Sequence, residues 1–160
     1  MKKIGIVLIL IMIICGCTNR LDENQLIYNS YVEELKELKS TNTAKDIVDI
    51  DIKLEKSSND EITYRVTIDN PKEKMKQVEA FVYHDQKTED IYPSIGVFDE
   101  KVNLIPNLKE KDEKNTEGIV LVGYIKTKKE IEDFHPTMKV MILYNNQENE
   151  RQKIYFTKKM

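Results

Sequence analysis

The fold is decided by two segments, Val48-Asp49-Ile50-Asp51-Ile52-Lys53-Leu54-Glu55 and Ile62-Thr63-Tyr64-Arg65-Val66-Thr67-Ile68-Asp69. In both, apolar side chains alternate with charged or hydroxyl-bearing ones. Successive side chains of a strand point to opposite faces, so this period of two predicts two half-buried strands. The polar stretch Ser57-Ser58-Asn59-Asp60 between them is typical of a turn. We therefore expect a β-hairpin.

Short strand patterns continue to the end of the chain. Residues 78–83 are apolar on both faces, as expected of a central strand covered on both sides, and residues 118–127 show the same pattern. The other candidate strands are residues 95–98, 102–105, 138–144 and 153–157. Seven or eight short strands separated by polar turns predict a mainly β protein, with an antiparallel β-sandwich over residues 47–160.

This sandwich resembles the immunoglobulin-like architecture in pattern only, because the chain has no Trp and no inter-sheet cysteine pair. An up-and-down barrel is the alternative. The long connection over residues 107–117 and the helix predicted in front of the strands weigh against the barrel.

An amphipathic helix is predicted over residues 24–39, with a capping arrangement of Asp22 and Gln25 at its start. Its apolar stripe consists of Ile27, Tyr28, Tyr31, Val32, Leu35 and Leu38. The opposite face is mixed to acidic, whereas a helix lying on a membrane surface carries Lys and Arg there. We therefore expect the stripe to pack on its own domain. If it does not, Tyr31 and Leu35 are candidate contacts for a partner.

The N-terminus predicts an export signal. Lys2 and Lys3 precede an apolar run over residues 4–14, which has the charge and length of a secretory signal peptide. A spanning helix would need about 20 apolar residues. An uncleaved short apolar anchor is the alternative to a cleaved signal.

The end of this signal, Ile14-Cys15-Gly16-Cys17, resembles the lipobox of bacterial lipoproteins. The resemblance implies that residues 1–16 are removed and that Cys17 becomes a lipidated N-terminus carrying fatty-acyl chains such as palmitate. Residues 17–23 would then be a lipidated tether that holds the domain at the extracytoplasmic face of the cell membrane. Two acyl chains anchor a protein stably without a transmembrane helix.

Charge and cysteine content exclude several classes of partner. The 160-residue chain has 28 acidic and 25 basic side chains, and 23 basic ones remain once Lys2 and Lys3 leave with the signal. A net negative domain argues against nucleic acid, whose phosphates need a basic face, and against electrostatic adhesion to anionic lipid. With Cys15 removed and Cys17 lipidated, no thiol remains for a disulfide or a cysteine-based metal site.

No constellation of residues points to catalysis. Ser94, in Tyr92-Pro93-Ser94-Ile95-Gly96, does not fit the Gly-x-Ser-x-Gly pattern of hydrolases, and no glycine-rich phosphate loop is present. His84 precedes a loop with several carboxylates, but the spacing matches none of the zinc patterns. We therefore expect no enzyme, no cofactor and no metal.

The segment Ile91-Tyr92-Pro93-Ser94-Ile95-Gly96-Val97-Phe98-Asp99 is apolar and aromatic between two charged loops. Tyr92 and Phe98 in this segment are further candidate contacts for a partner, because aromatic side chains anchor interfaces. The favoured interpretation is structural, with these aromatics covering the core.

The sequence thus predicts a lipid-anchored, extracytoplasmic and non-catalytic binding protein of the bacterial cell envelope. Its expected contacts are the bilayer, through acylated Cys17, and another envelope or surface protein. The alternative is a receptor for a small ligand or an ion, with a pocket between helix and sandwich or among the loops around His84. An envelope hydrolase is the least supported possibility.

Overall fold

The computed structural model describes residues 23–87, 94–108 and 114–160. One α-helix, α1, spans Glu23–Glu37. The strands that follow it are β1 Asp49–Ser58, β2 Glu61–Asp69, β3 Met75–His84, β4 Ser94–Leu104, β5 Asn115–Thr116, β6 Gly118–Lys126, β7 Thr137–Asn145 and β8 Arg151–Lys159. A short 3-10 turn, Ile131–Asp133, precedes β7.

These strands form two sheets. A three-stranded sheet has the order β1-β2-β6, and a five-stranded sheet has the order β5-β4-β3-β7-β8. The predicted β1–β2 hairpin is confirmed, with Ile52 opposite Val66. The two candidate strands at residues 95–98 and 102–105 are one continuous strand, β4, whose register against β3 is irregular. Such irregular pairing explains why the alternation breaks there although the strand continues.

The core lies between the sheets. The inner face of β2 contributes Ile62, Tyr64, Val66 and Ile68, and the facing sheet contributes Val78, Ala80, Val82, Met138, Val140 and Ile142. Two separate sheets that face each other across this core make a β-sandwich rather than the single closed sheet of an up-and-down barrel. The predicted mainly β sandwich with a helix in front is confirmed. Its immunoglobulin-like character stays a prediction.

The helix lies across the five-stranded sheet, where Tyr28 meets Phe81 of β3 and Glu34 contacts Lys153 of β8. Its Tyr31 contacts Glu79 in the first half of β3, whereas the carbonyl of Leu38 contacts Lys139, which lies opposite Tyr83 near the end of β3. We call the end of the sandwich where β3 begins the base and the other end the top. The base holds the connections over residues 70–74 and 146–150, the end of β4 and the start of β6.

Candidate functional site

The helix packs on the outer face of the five-stranded sheet. We call the contact between α1 and this sheet the helix seat. Val32 and Leu35 are buried there against Phe81, Met141 and Leu143. The rings of Tyr28 and Tyr31 meet Phe81 edge-on, with centroids 5.4 and 5.7 Å away. The expectation that the stripe packs on its own domain is confirmed, and so is a β3 that is covered on both faces.

A buried carboxylate binds the middle of the helix. Glu79 is 7% exposed and accepts a hydrogen bond from the Tyr31 hydroxyl at 2.7 Å. The ammonium of Lys101 lies 2.7 Å from the carboxylate and the guanidinium of Arg151 lies 2.6 Å from it. Burial by itself would raise the pKa of Glu79, but these donors and charges outweigh it and the pKa is lowered. Burial, together with the bond to Glu79, raises the pKa of Tyr31 to about 12.

Two further contacts hold the second half of the helix. The Lys139 ammonium donates to the carbonyl oxygens of Leu35, Lys36 and Leu38 at 2.7, 3.0 and 2.9 Å. A cation at this position binds carbonyl oxygens at the C-terminal end of the helix and complements the helix dipole. Glu34 accepts hydrogen bonds from the Lys153 ammonium and the Tyr155 hydroxyl. Apolar packing and polar contacts along its length therefore fix α1 on the sandwich.

The four candidate contact residues do not form one surface. Leu35 is 0% exposed, so its side chain belongs to the core of the helix seat and is not available to a partner. Tyr31 is half-buried and bonded to Glu79. Phe98 lies within β4, whereas Tyr92 and the lipidation candidate Cys17 lie outside the described residues.

His84 is a core residue rather than a loop ligand. It is buried at the end of β3, where its ring stacks on Tyr83 at 6.3 Å and meets Tyr64 edge-on at 5.8 Å. Within the described ranges, no three His, Cys, Asp or Glu side chains lie together in a way that could hold a metal ion.

A cleft of about 660 Å³ opens at the base of the sandwich. Its lining side chains are Thr67, Asp69, Asn70, Pro71, Lys72, Ile105, Pro106, Asn107, Glu117, Ile119 and Val120, with Gly118 completing the wall. Asn70 and Asn107 have left-handed backbone angles, with φ of 49° and 54°, which asparagine tolerates better than most residues. This base cleft lies at the opposite end of the sandwich from His84, and thus away from the pocket positions expected from the sequence.

The outer face of β6 is apolar and exposed. Val120 is 51% exposed and Tyr124 is 57% exposed, and Val122 lies between them on the same face. Residues 118–127 are apolar on both faces in the sequence, but in the structure the buried side chains of β6 lie on one face. The helix covers the five-stranded sheet, whereas about half of the surface of Val120 and Tyr124 on β6 is exposed. An apolar strand face gives the same sequence pattern whether the chain itself or another molecule covers it.

Comparison of the chain with protein-family models, with curated proteins and with solved structures found no match. The fold and its surfaces therefore define its class, a β-sandwich with a helix fixed to one sheet and an exposed apolar strand in the other. None of the helices in the described part of the chain has the length and apolar character needed to cross a membrane.

Proposed function

We propose that this protein is a lipid-anchored, extracytoplasmic and non-catalytic binding protein of the bacterial cell envelope, and that its binding surface is the exposed outer face and edge of β6. The exposure of Val120 and Tyr124 carries this proposal. Large apolar side chains that lie together on an exposed face mark interaction sites more often than isolated ones do. An immunoglobulin-like sandwich, a common architecture of surface proteins, is part of the same proposal.

The position of the helix supports an anchored role. Five residues, 18–22, lie between Cys17 and Glu23, and the six steps from Cys17 to Glu23 reach at most about 20 Å when fully extended. A lipid on Cys17 would therefore hold the start of α1 close to the bilayer. The strands run from base to top, and a nine-residue strand is about 30 Å long. A rigidly seated helix would therefore fix the orientation of β6 relative to the membrane.

Site-specific photo-crosslinking in native membranes tests the binding surface. A photoreactive amino acid replaces Tyr124 in one variant and Leu26 in the other. Leu26 is a matched control, because it is 54% exposed but lies on α1. We expect a discrete crosslinked protein from position 124 and none from position 26. Equal labelling at both positions, or none at position 124, would contradict the proposal.

The anchor is tested separately by the mass of the mature protein. We expect processing before Cys17 with an added diacylglyceryl mass, and loss of both in Cys17→Ala. Cleavage at another site without acyl mass in the unmodified protein would refute lipid anchoring, whatever β6 binds.

A second candidate function is a receptor for a small ligand, and the base cleft favours it. Its volume of about 660 Å³ lies within the range of ligand pockets. Asp69, Lys72 and Glu117 offer charged groups beside the apolar Ile105 and Pro106. Thermal-shift screening of small cations, anions and zwitterions tests this function. A stabilising compound whose effect disappears in Asp69→Asn but persists in Asp51→Asn, a change on an exposed strand position, would support it.

A further inference from the structure

We propose that the base cleft binds a small organic cation, which is an ammonium or guanidinium group on a short aliphatic chain. This inference deepens the second candidate function, a receptor for a small ligand, and rests on it. It depends neither on what β6 binds nor on the anchor at Cys17. A free amine and the basic side chain of a peptide share this chemistry, and their affinities tell them apart.

Backbone hydrogen bonds hold both walls of the cleft. On one side, the Lys72 N–H donates to the carbonyl of Ile47 at 2.8 Å. On the other side, the Ile105 N–H donates to the carbonyl of Thr116 at 3.0 Å. Between the two walls, β2 and β6 pair without interruption as far as Asp69 and Gly118. The fold itself therefore shapes the cleft.

The carboxylates of the cleft outnumber its cations. Asp69 and Glu117 line it, and Lys72 is the one basic residue among the described residues that do so. The Lys72 ammonium lies 3.5 Å from the carboxylate of Asp49, to which the Asn70 amide also donates at 2.6 Å. Both donors are thus directed to Asp49. Within the described part of the chain, no hydrogen bond or ion pair reaches the side chains of Asp69 and Glu117.

Asp69 also lies next to a second carboxylate. It is directly opposite Asp49 in the pairing of β1 with β2, and both side chains are exposed on the outer face of the sheet. Like charges at directly opposed positions destabilise a sheet. The position opposite Asp69 on β6 is Gly118, which has no side chain to occupy the space beside this carboxylate. A cation bound there would relieve the repulsion, so the arrangement favours a positively charged ligand.

The apolar lining distinguishes an organic cation from a metal ion. Pro71 and Ile119 are buried, and Ile105 and Pro106 are partly buried. Such side chains offer no oxygen ligands to a metal, but they pack against methylene groups. In the ranges that the structure describes, no three His, Cys, Asp or Glu side chains are placed to hold a metal ion. A volume of about 660 Å³ accommodates an aliphatic chain whose charged end lies at the carboxylates.

An anionic ligand fits this lining less well. The ammonium of Lys72 already neighbours Asp49, and an anion would be repelled by Asp69 and Glu117. Removal of the Lys72 charge therefore discriminates between the two ligand classes. We expect Lys72→Gln to strengthen the binding of a cation, whereas it would abolish the binding of an anion.

NMR titration of the full chain in an uncharged detergent tests the proposal. The probe is n-pentylamine, and the controls are 1-pentanol and pentanoate, which keep the aliphatic chain but remove or reverse its charge. We expect pentylamine to cause saturable shifts of the amides of Asn70, Asn107 and Gly118 at about millimolar concentration, the range for so small a ligand. Neither control should cause them.

Variants of similar shape identify the groups that bind the cation. Asp69→Asn and Glu117→Gln should each weaken pentylamine binding by about threefold, and together by about tenfold, whereas Lys72→Gln should strengthen it by about threefold. Glu55→Gln is the matched control, because Glu55 is an exposed carboxylate on β1 about 20 Å from Asp49. Charges at this distance are screened, so binding should change by less than about twofold. Circular dichroism checks the fold of each variant, and Glu117→Gln alone suffices if Asp69→Asn does not fold.

A second titration separates the two sources of the cation. N-acetyl-lysine amide presents a similar ammonium chain on a peptide backbone. Binding about tenfold or more tighter than that of pentylamine would support the basic side chain of a peptide as the ligand. Equal or weaker binding would support a free amine.

Three results would overturn the proposal. One is the absence of saturable shifts with pentylamine, another is equal binding of pentylamine and pentanol, and the third is undiminished binding in the Asp69→Asn, Glu117→Gln double variant. Binding of pentanoate that Lys72→Gln abolishes would refute the cation but leave the receptor function standing. If no compound of either charge binds, the receptor function fails as well.

Discussion

Replacing Leu35 by alanine tests whether the helix seat stabilises the whole domain. Leu35 is 0% exposed and packs with Val32, Phe81, Met141 and Leu143. The change removes three carbon atoms, and at about 0.8 kcal/mol for each buried methylene the transfer contribution is roughly 2.4 kcal/mol. Phe81 and Met141 are held in a central sheet and cannot fully close the space, so a cavity contribution adds to this. We expect a loss of about 2–5 kcal/mol in the free energy of unfolding.

The assay is urea denaturation followed by circular dichroism, with Leu26→Ala as the matched control. Leu26 is on the same helix but 54% exposed, so its truncation should change stability by no more than about 0.5 kcal/mol. With a denaturant slope of about 2 kcal/mol per molar, a loss of about 3 kcal/mol lowers the midpoint by about 1.5 M. Equal midpoints for Leu35→Ala and Leu26→Ala would refute the view that seating of the helix contributes to stability.

Three other changes have defined outcomes. The pKa of Glu79 is lowered in the folded state, so the ionised carboxylate stabilises the fold fully above its unfolded pKa of about 4.3, and this stability is lost as the pH falls through the folded pKa. Glu79→Gln should therefore be less stable than the unmodified protein at pH 7 and should lose less stability between pH 7 and pH 2 in urea melts. The same pH profile for both proteins would contradict this. Lys139→Met removes three hydrogen bonds to helix carbonyls and should cost about 1–3 kcal/mol in the same assay, whereas equal stability would mean that water replaces the ammonium without loss. Gly123→Ala would place a Cβ against the buried ring of Tyr64 and should cost about 1–3 kcal/mol, measured as a lower melting temperature; an unchanged melting temperature would show that the ring can move aside.

Local alternation was sufficient to predict the hairpin and the central strand. Ile62, Tyr64, Val66 and Ile68 are all buried on one face of β2, as their spacing requires. The apolar stripe of the helix could be predicted equally well from the sequence, because residues three and four apart share one face of a helix. The observed helix, Glu23–Glu37, differs from the prediction by one residue at its start and two at its end.

The polar part of the helix seat could not be predicted in the same way. Glu79 lies among apolar residues of β3, and a lone carboxylate in such a strand was the available signal. Its donors, Tyr31, Lys101 and Arg151, come from three different elements, so only the tertiary fold brings them together. The same holds for the base cleft, whose walls are the ends of strands and the connections between them.

The helix seat and β6 lie on different sheets, so the proposed attachment and the proposed binding surface would be separate. Contacts made by α1 use the outer face of the five-stranded sheet and leave the outer face of β6 exposed. A seated helix would hold the outer face of β6 in one orientation relative to the membrane, where a neighbouring protein could reach it. Holding both proteins at one membrane surface would raise their effective concentration, so that a small contact surface could suffice for binding. Substitutions at Glu79 or Lys139 should then weaken partner capture in membranes, although neither residue touches β6, because a loosely seated helix no longer fixes the orientation of β6.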